Sequence, residues 1–200
     1  MILKKAGLWA LLALAPFWVA CQPKPETSLT MKSGVLTVGM EIGYPPMEYI
    51  DESGNVAGFD VQMAKAIAAK MGLKVEFVDT AWDGIFAGVD TGKYDCIISS
   101  VTITDARLAA HNFTKPYIAN TQAIVLLKGA SFRPSGPEDL AGLGVAYQEE
   151  TTSDILMTGL AEKGLQFTPY EYAKVMNCFD ELQLGRVDAI ICDSLVAVDY

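Results

Sequence analysis

Segments whose apolar residues repeat as in a strand alternate along this chain with segments whose apolar residues repeat as in a helix. Residues 35–39 form an apolar run of strand length, and residues 59–71 carry apolar side chains at helical spacing up to Gly72. Residues 74–78 then alternate between polar and apolar as a half-buried strand does. Because strands separated by helices pair in parallel, the pattern predicts an α/β fold with open sheets.

A polar stretch at residues 133–137, which contains two prolines and a glycine, separates two such units. We therefore predict a first lobe over 34–127, which ends with the apolar run 123–127, and a second lobe over 128–200. The other predicted elements are, in chain order, a helix at 82–89, a strand at 94–101, a strand at 144–147, a helix at 153–163 capped by Thr152, a helix at 174–184 and a strand at 188–192. Two strands are too few for an independent sheet, so we expect a further segment beyond Tyr200 to complete the second lobe.

Residues 1–20 have the pattern of an export signal. Two lysines near the start precede an apolar run over residues 6–19. Because this run is shorter than the roughly 20 apolar residues that a membrane-spanning helix needs, we interpret it as a cleaved signal. The protein is therefore predicted to be exported.

Cys21 follows Trp18, Val19 and Ala20, a sequence that resembles a bacterial lipobox. The resemblance implies that Cys21 is diacylated and anchors the protein to the membrane. Residues 21–33 would then be the lipidated cysteine and a flexible, proline-containing tether. Trp18 stands where the pattern prefers Leu, so export without lipidation is the alternative.

Charge and cysteine content argue against several classes of function. The net charge is −9, and such an acidic balance disfavours nucleic acid as a partner and adsorption to an anionic bilayer. After the lipobox the cysteines are Cys96, Cys178 and Cys192, without CxxC or histidine-rich spacing. We therefore predict no disulfide framework and no metal site, and we interpret the three residues as buried thiols.

Several motifs at fixed spacing resemble those of one protein family. They are GMEIGYPPM at 39–47, GFDV at 58–61, GKYDCIISSVTITDAR at 92–107, LAG at 140–142, TT at 151–152 and GRVDAIICDS at 185–194. Together they resemble the polar-amino-acid family, family three, of bacterial extracellular solute-binding proteins, over nearly all of the chain from Gly34 to Tyr200. The resemblance implies a two-lobed, type II periplasmic-binding-protein-like fold with an incomplete second lobe.

The same resemblance implies a function in transport. A free amino acid, polar or basic, would be captured between the lobes and delivered to the membrane permease subunits of an ABC transporter. It implies a monomer without cofactor or catalytic residues, at the outer face of the cell membrane or in the periplasm. An enzyme of the dehydratase type on this scaffold and a sensor ectodomain are the alternatives. The one histidine, His111, lies outside the motifs, and no Ser-His or Cys-His arrangement is visible, which argues against catalysis.

A free amino acid requires a cation and oriented donors for its carboxylate and an anion for its ammonium group, in a cleft shielded from water. By resemblance, Arg107 and Thr102 bind the α-carboxylate and Asp193 binds the α-ammonium group. From the residues alone, Arg107 could equally be a surface side chain after a helix start. Asp193 could equally cap the helix that follows it.

The remaining predicted contacts also rest on the resemblance. They are Glu41, Tyr44, Phe59, Ser99, Ser100 and Thr152. The two aromatic rings would flank the aliphatic part of the ligand, and Glu41 would favour a cationic side chain. Trp82 fits pocket lining and packing equally well. Glu150 stands where the family commonly has glycine, which puts in question how closely that loop approaches the ligand.

Replacing the predicted lipidation site separates anchoring from export. Cys21→Ser should leave an exported protein that no longer fractionates with membranes, because the diacyl anchor is lost. Cys96→Ser, outside the lipobox, is the matched control and should fractionate like wild type. Membrane association that survives in Cys21→Ser would show that the assignment of the anchor is wrong.

Overall fold

The computed structural model describes residues 28–198. The predicted signal, Cys21 and most of the predicted tether lie outside these residues. The elements of the first half are β1 (Val35–Met40), β2 (Tyr49–Ile50), β3 (Val56–Ala57), α1 (Phe59–Met71), β4 (Lys74–Asp79), α2 (Ile85–Asp90), β5 (Cys96–Ile97) and α3 (Asp105–Ala110). Those of the second half are β6 (Gln122–Val125), β7 (Gly144–Gln148), α4 (Thr152–Glu162), β8 (Thr168–Tyr172), α5 (Val175–Gln183), β9 (Ala189–Asp193) and α6 (Ser194–Ala197). Short 3-10 turns precede α2 and β7, at Trp82–Gly84 and Pro137–Leu140.

The first sheet is parallel and has the strand order β4-β1-β5. Helix α1 buries Val61, Ala64 and Ala68 against one face of it. The β1 side chains in that cluster are Leu36, Val38 and Met40. They are alternate residues, as expected for one face of a strand, and the alanines let helix and strand approach closely. Strands β2 and β3 form a separate antiparallel hairpin between β1 and α1.

The opposite face of β1 is covered by the ring of Tyr94, which is 1 % exposed. A Cβ atom at Gly39 would lie 2.4 Å from this ring, and one at Gly88 would lie 2.1 Å from its hydroxyl oxygen. The hydroxyl group donates a hydrogen bond to the carbonyl oxygen of Ile85 in α2. The two glycines therefore create the space that a buried aromatic ring needs next to β1.

The second sheet has four strands in the order β6-β9-β7-β8. Strand β6 is antiparallel to β9, whereas β7 is parallel to both β8 and β9. Successive residues of β9 alternate between two buried clusters, so that Ile191 faces α4 and Ile190 faces α5. We call the unit built on the three-stranded sheet the first lobe and the unit built on this sheet the second lobe.

The second lobe has four strands, whereas the sequence predicts two. Residues 123–127 were assigned to the first lobe, but β6 pairs with β9 from Gln122 to Val125 and so belongs to the second sheet. Strand β8 is missed because Pro169 argues against a strand. The proline is tolerated because β8 is an edge strand.

Two further boundaries differ from the prediction. The strand expected over 94–101 is reduced to β5, although Asp95 and Ile98 on either side still donate backbone hydrogen bonds to β1. Helix α4 begins at Thr152, so Thr151 is its N-cap residue and Thr152 is not. The other predicted helices and strands agree with the structure to within three residues at their ends.

The packing of Tyr94 can be tested with two glycine substitutions of opposite sign. Gly39→Ala should lower the free energy of unfolding by about 1–3 kcal/mol, because the added methyl group displaces a buried ring. Gly159→Ala is the control, since Gly159 lies in α4 with no atom within 4 Å of its Cβ position. It should raise the free energy of unfolding by about 0.5–1 kcal/mol through helix propensity. Urea unfolding measures both, and equal effects would contradict the packing argument.

Candidate functional site

A narrow cleft lies between the two lobes. Its lining residues are Glu41, Tyr44, Trp82, Ser99, Ser100, Thr102, Arg107, Gln148, Thr151, Thr152 and Asp193. Strand ends supply most of them: Glu41 follows β1, and Asp193 is the last residue of β9. The cleft therefore lies at the carboxyl ends of the parallel strands, where open α/β sheets bind their ligands.

Arg107 reaches the cleft from the first turn of α3. Thr104 is the N-cap of this helix, and its hydroxyl oxygen accepts a hydrogen bond from the backbone N–H of Arg107 at 3.2 Å. The guanidinium group donates from Nη1 to the carbonyl oxygen of Thr102 at 3.0 Å and from Nη2 to that of Glu150 at 3.3 Å. Arg107 thus does follow a helix start, and its guanidinium group also lies in the cleft.

The guanidinium group of Arg107 is half-buried against two aromatic rings. It lies 5.2 Å from the ring centre of Trp82 and 5.3 Å from that of Phe86. No carboxylate within residues 28–198 lies close enough to form an ion pair with it. Burial lowers the pKa of Arg107, whereas the charge of Asp193 raises it. In the described part of the chain, the cleft therefore presents a half-buried cation that has no carboxylate in ion-pair contact.

Asp193 faces Arg107 from the second lobe. Its Oδ2 atom accepts a hydrogen bond from the Tyr44 hydroxyl group at 2.6 Å, and its Oδ1 atom accepts one from Nε2 of Gln122 at 2.6 Å. The side chain makes no hydrogen bond as cap of α6, although Asp193 is its N-cap residue. Burial raises the pKa of Tyr44 well above its ordinary value, and the charge of Asp193 adds a smaller effect in the same direction. The Tyr44 hydroxyl group therefore remains a donor.

Gln122, the first residue of β6, was not predicted as part of the site. Its Nε2 atom also donates to the hydroxyl oxygen of Thr152 at 3.0 Å, and its Oε1 atom accepts from the Ser153 hydroxyl group at 2.6 Å. Gln122 therefore fixes Asp193 relative to the start of α4. A polar residue directly before an apolar strand was the available signal, but the strand was assigned to the wrong lobe.

Gln148 is a second site residue that the sequence did not reveal. Its Nε2 atom donates to both carboxylate oxygens of Glu41, at 3.0 and 2.9 Å, and the two residues are 3 % and 4 % exposed. Burial raises the pKa of Glu41, whereas the hydrogen bond from Gln148 lowers it. In the sequence, an amide on an apolar strand looks like a core residue. The role of Gln148 becomes visible only through its partner across the cleft, Glu41.

Glu150 connects the lobes through its backbone. Its carbonyl oxygen accepts from Nε1 of Trp82 at 3.0 Å as well as from Arg107, and its φ angle is 59°. This left-handed conformation favours glycine. The backbone of this loop comes close to the site even though an acidic, exposed side chain replaces glycine.

The hydroxyl groups of Ser99 and Ser100 bond mainly within the first lobe. Ser99 Oγ accepts from the backbone N–H of Glu41 at 3.1 Å and donates to the Glu48 carboxyl group. Ser100 donates from both its backbone N–H and its Oγ to Oδ2 of Asp60. Thr102 contributes the carbonyl oxygen that holds Arg107. These residues therefore shape the wall of the cleft.

Phe59 does not belong to the cleft, which corrects the prediction. As first residue of α1 it is 47 % exposed, and its ring stacks on Tyr117 with centroids 6.3 Å apart. The start of the helix points this ring along the outer surface of the first lobe. Eight of the nine residues predicted to bind the ligand line the cleft, and Phe59 is the exception.

The histidine and the cysteines lie away from the cleft lining. His111 stacks on Phe86, with Nδ1 3.4 Å from a carboxylate oxygen of Asp90. Cys178 and Cys192 are buried in one cluster, which raises the pKa of each to about 12, and Cys96 is half-buried. Residues 28–198 contain no grouping of three potential metal ligands and no helix with the length and hydropathy of a membrane span.

Residues 36–162 match the family described as bacterial extracellular solute-binding proteins, family 3. The L-cystine-binding protein TcyJ of Escherichia coli (strain K12) is 33 % identical over 173 residues, which cover 83 % of this chain. The same alignment covers 61 % of TcyJ, so the chain spans less than two thirds of the length of this relative.

Solved structures agree with the sequence relationship. An ancestral arginine-binding protein bound to arginine superposes with a TM-score of 0.80 at 39 % identity, over 84 % of this chain and 73 % of its own. An ancestral amino-acid-binding protein, described as a precursor of cyclohexadienyl dehydratase, gives a TM-score of 0.78 at 38 % identity, over 85 % of this chain and 74 % of its own. Both matches extend across the two lobes described above.

Proposed function

The chain belongs to the bacterial extracellular solute-binding proteins of family 3 and has their two-lobed, type II periplasmic-binding-protein fold, and on this premise we propose that it binds a free amino acid for an ABC importer. The observation that carries the proposal is the half-buried Arg107, which has no ion-pair partner within residues 28–198 and lies in a cleft with Asp193. A zwitterion would supply the carboxylate that Arg107 lacks and an ammonium group for Asp193.

The donors around Arg107 support this orientation of the ligand. Arg107 reaches the cleft with a planar, bidentate group that matches a carboxylate. Thr152 lies across the cleft at the first turn of α4, an element of the second lobe, and can add a hydroxyl donor. Trp82 is close enough to Arg107 to exclude water from one side of the ion pair.

Glu41 supports a polar or basic amino acid as the ligand. Together with Asp193 it gives the cleft two carboxylates against one guanidinium group. A ligand with a cationic side chain would therefore be better compensated than a neutral one, provided Glu41 is ionised. Burial raises the pKa of Glu41 and opposes the ionised form, whereas the hydrogen bonds from Gln148 and then the charge of Lys174 favour it.

We propose binding without chemistry on the ligand. The carboxylates of the cleft are held by amide and hydroxyl donors, and His111 lies against Asp90 and Phe86, outside the cleft lining. Anchoring through Cys21, location outside the cell membrane, delivery to permease subunits and the monomeric state are parts of the same proposal. They follow from the predicted export signal and lipobox and from the family.

Removing the guanidinium group tests the proposed carboxylate site. Arg107→Ala should abolish binding of every amino acid rather than change selectivity, because the α-carboxylate is common to all of them. The loss of a desolvated charge contact costs about 2–5 kcal/mol, or roughly 30-fold to several thousand-fold in affinity. Calorimetric titration with L-arginine, L-histidine and L-cystine measures it.

Arg186→Ala is the control for this experiment, because Arg186 pairs with Glu181 on the surface of the second lobe. It should bind each amino acid with wild-type affinity. Affinity that is retained in Arg107→Ala for any of the three amino acids would show that Arg107 has a structural role only.

The lobes are already joined by polar contacts across the cleft. The pairs are Tyr44 with Asp193, Glu41 with Gln148, Trp82 with Glu150 and Arg107 with Glu150. An amino acid held by Arg107 and Asp193 would add contacts to both lobes at once. Such a ligand binds the closed arrangement better than an open one and shifts the equilibrium toward closure.

Neutralising Asp193 should weaken both binding and closure. Asp193→Asn is expected to bind L-arginine at least tenfold more weakly, because the ammonium group loses its anion, and to stay open at concentrations that close wild type. Small-angle X-ray scattering with and without L-arginine measures the contraction. Asp180→Asn, on the exposed surface of α5, should contract like wild type. A liganded wild type that does not contract would refute the closure mechanism.

A further inference from the structure

Two carboxyl groups that lie outside the lining of the cleft are completely buried behind it. Glu48, which precedes β2, and Asp60, in the first turn of α1, are both 0 % exposed. They reach the two serines of the cleft wall from behind. Glu48 Oε1 accepts from the Ser99 hydroxyl group, and Asp60 Oδ2 accepts from the backbone N–H and the hydroxyl group of Ser100 at 2.5 and 2.9 Å.

The second oxygen of each carboxyl group has no donor. Within residues 28–198, neither Oε2 of Glu48 nor Oδ1 of Asp60 has a hydrogen-bond partner, although both atoms are buried. Asp60 Oδ2 accepts a further bond from the Tyr117 hydroxyl group at 3.1 Å, so the donors converge on the other oxygens. Two carboxylate oxygens without a donor from the described residues, buried in one site, would be costly in free energy.

The surroundings provide no positive charge that could stabilise two carboxylates. No Lys, Arg or His side chain in the described part of the chain forms an ion pair with either group. The titratable groups that act on Glu48 and Asp60 are each other, Glu41 after β1, Tyr44 in the loop before β2, and Tyr117 after α3. None of these groups is a cation. The hydrogen bond from the Tyr117 hydroxyl group favours the ionised form of Asp60, but burial, the neighbouring carboxyl group and Glu41 oppose a second negative charge, so a doubly ionised pair would be strongly disfavoured.

One proton resolves this problem. Placed on Glu48 or Asp60, it turns one of the two unpartnered oxygens into a donor for the other. We propose that Glu48 and Asp60 share a single proton and that this protonated pair positions Ser99 and Ser100 at the wall of the cleft. The pairing rests on the complete burial of both groups, their two unpartnered oxygens and the hydrogen-bonding contact between the two side chains, whereas its effect on ligand affinity rests on the proposed amino-acid binding.

The backbone of Ser100 shows why the wall needs such a support. Its φ angle is +47°, a conformation that is unfavourable for a residue with a side chain. Both donors of Ser100 bond to Asp60, and Ser99 Oγ connects Glu48 to the backbone N–H of Glu41. Burial raises the pKa of Glu48 well above its ordinary value, and the charge of Asp60 adds a smaller effect in the same direction. This agrees with a carboxyl group that retains its proton.

Infrared difference spectroscopy detects the proton without any ligand. At pH 7, wild type should show the carbonyl stretch of a protonated carboxylic acid. The band should be lost in Glu48→Gln and in Asp60→Asn, because either amide supplies the missing donor and leaves the other group ionised. Absence of the band in wild type, or its persistence in Glu48→Gln, would overturn the proposal.

The pH dependence of stability gives a second readout. A carboxyl group whose pKa is raised by folding binds its proton more tightly in the native state than in the unfolded state. The stability of the protein therefore falls as the pH rises from 4.5, the ordinary pKa of Glu48, toward the pKa of the folded state. The unfolding constant of wild type should therefore rise by up to about tenfold per pH unit for this one proton. Glu48→Gln should remove that contribution, and the exposed control Glu52→Gln should keep it. Equal slopes in all three proteins would overturn the proposal.

Binding of L-arginine, measured from pH values at which wild type shows the infrared band to pH values at which the band is lost, tests the positioning role. The affinity of Glu48→Gln relative to wild type should rise about tenfold over this range, because wild type loses the shared proton and the variant has none to lose. Taking the ratio cancels the titration of the ligand itself. A constant ratio would show that the pair does not position the serines. If wild type bound neither L-arginine nor L-cystine at any pH while the infrared band was present, the proposed function would fail and the proton-sharing pair would stand.

Discussion

The site depends on how each charged group that is removed from water is compensated. Asp193 accepts from Tyr44 and Gln122, and Glu41 accepts from Gln148, so their charges are stabilised by neutral donors. Among the residues that the structure describes, the guanidinium group of Arg107 donates only to carbonyl oxygens and lies against aromatic rings. Because carbonyl dipoles compensate a cation less completely than a carboxylate does, the unmet requirement of the cleft is an anion. The orientation that we propose for a bound zwitterion follows from this asymmetry.

The contacts within each lobe differ in kind from the contacts between the two lobes. Each has its own apolar clusters, built from alternate strand residues and one face of a helix. Across the cleft, the ring of Tyr44 packs against an apolar cluster of the second lobe, and the other contacts described above are hydrogen bonds between polar groups. Such bonds exchange readily with water, and their net contribution is only about 0.5–1.5 kcal/mol each. The lobes are therefore suited to move as rigid units, with the cleft as the place where contacts are made and lost.

Local sequence patterns predicted most of the fold, whereas long-range pairing limited the rest. Strand β1 and helix α1 were correctly located because their periods and the glycine after the helix are local signals. Strand β6 was assigned to the wrong lobe because its partner β9 lies far along the chain. The resemblance of the spaced motifs predicted Arg107 and Asp193 as ligand contacts, and both residues line the cleft. It could not reveal Gln148, whose function depends on Glu41, more than a hundred residues away in sequence.

Trp82 has a consequence beyond its contact with Arg107. The chain contains three tryptophans, and the other two, Trp9 and Trp18, lie in the predicted export signal. After cleavage at the predicted position, Trp82 would be the one tryptophan among residues 21–200. Because it donates to Glu150 across the cleft, its emission would originate at the joint between the lobes. The mature protein would thus carry an intrinsic optical reporter of its own opening, without any attached dye.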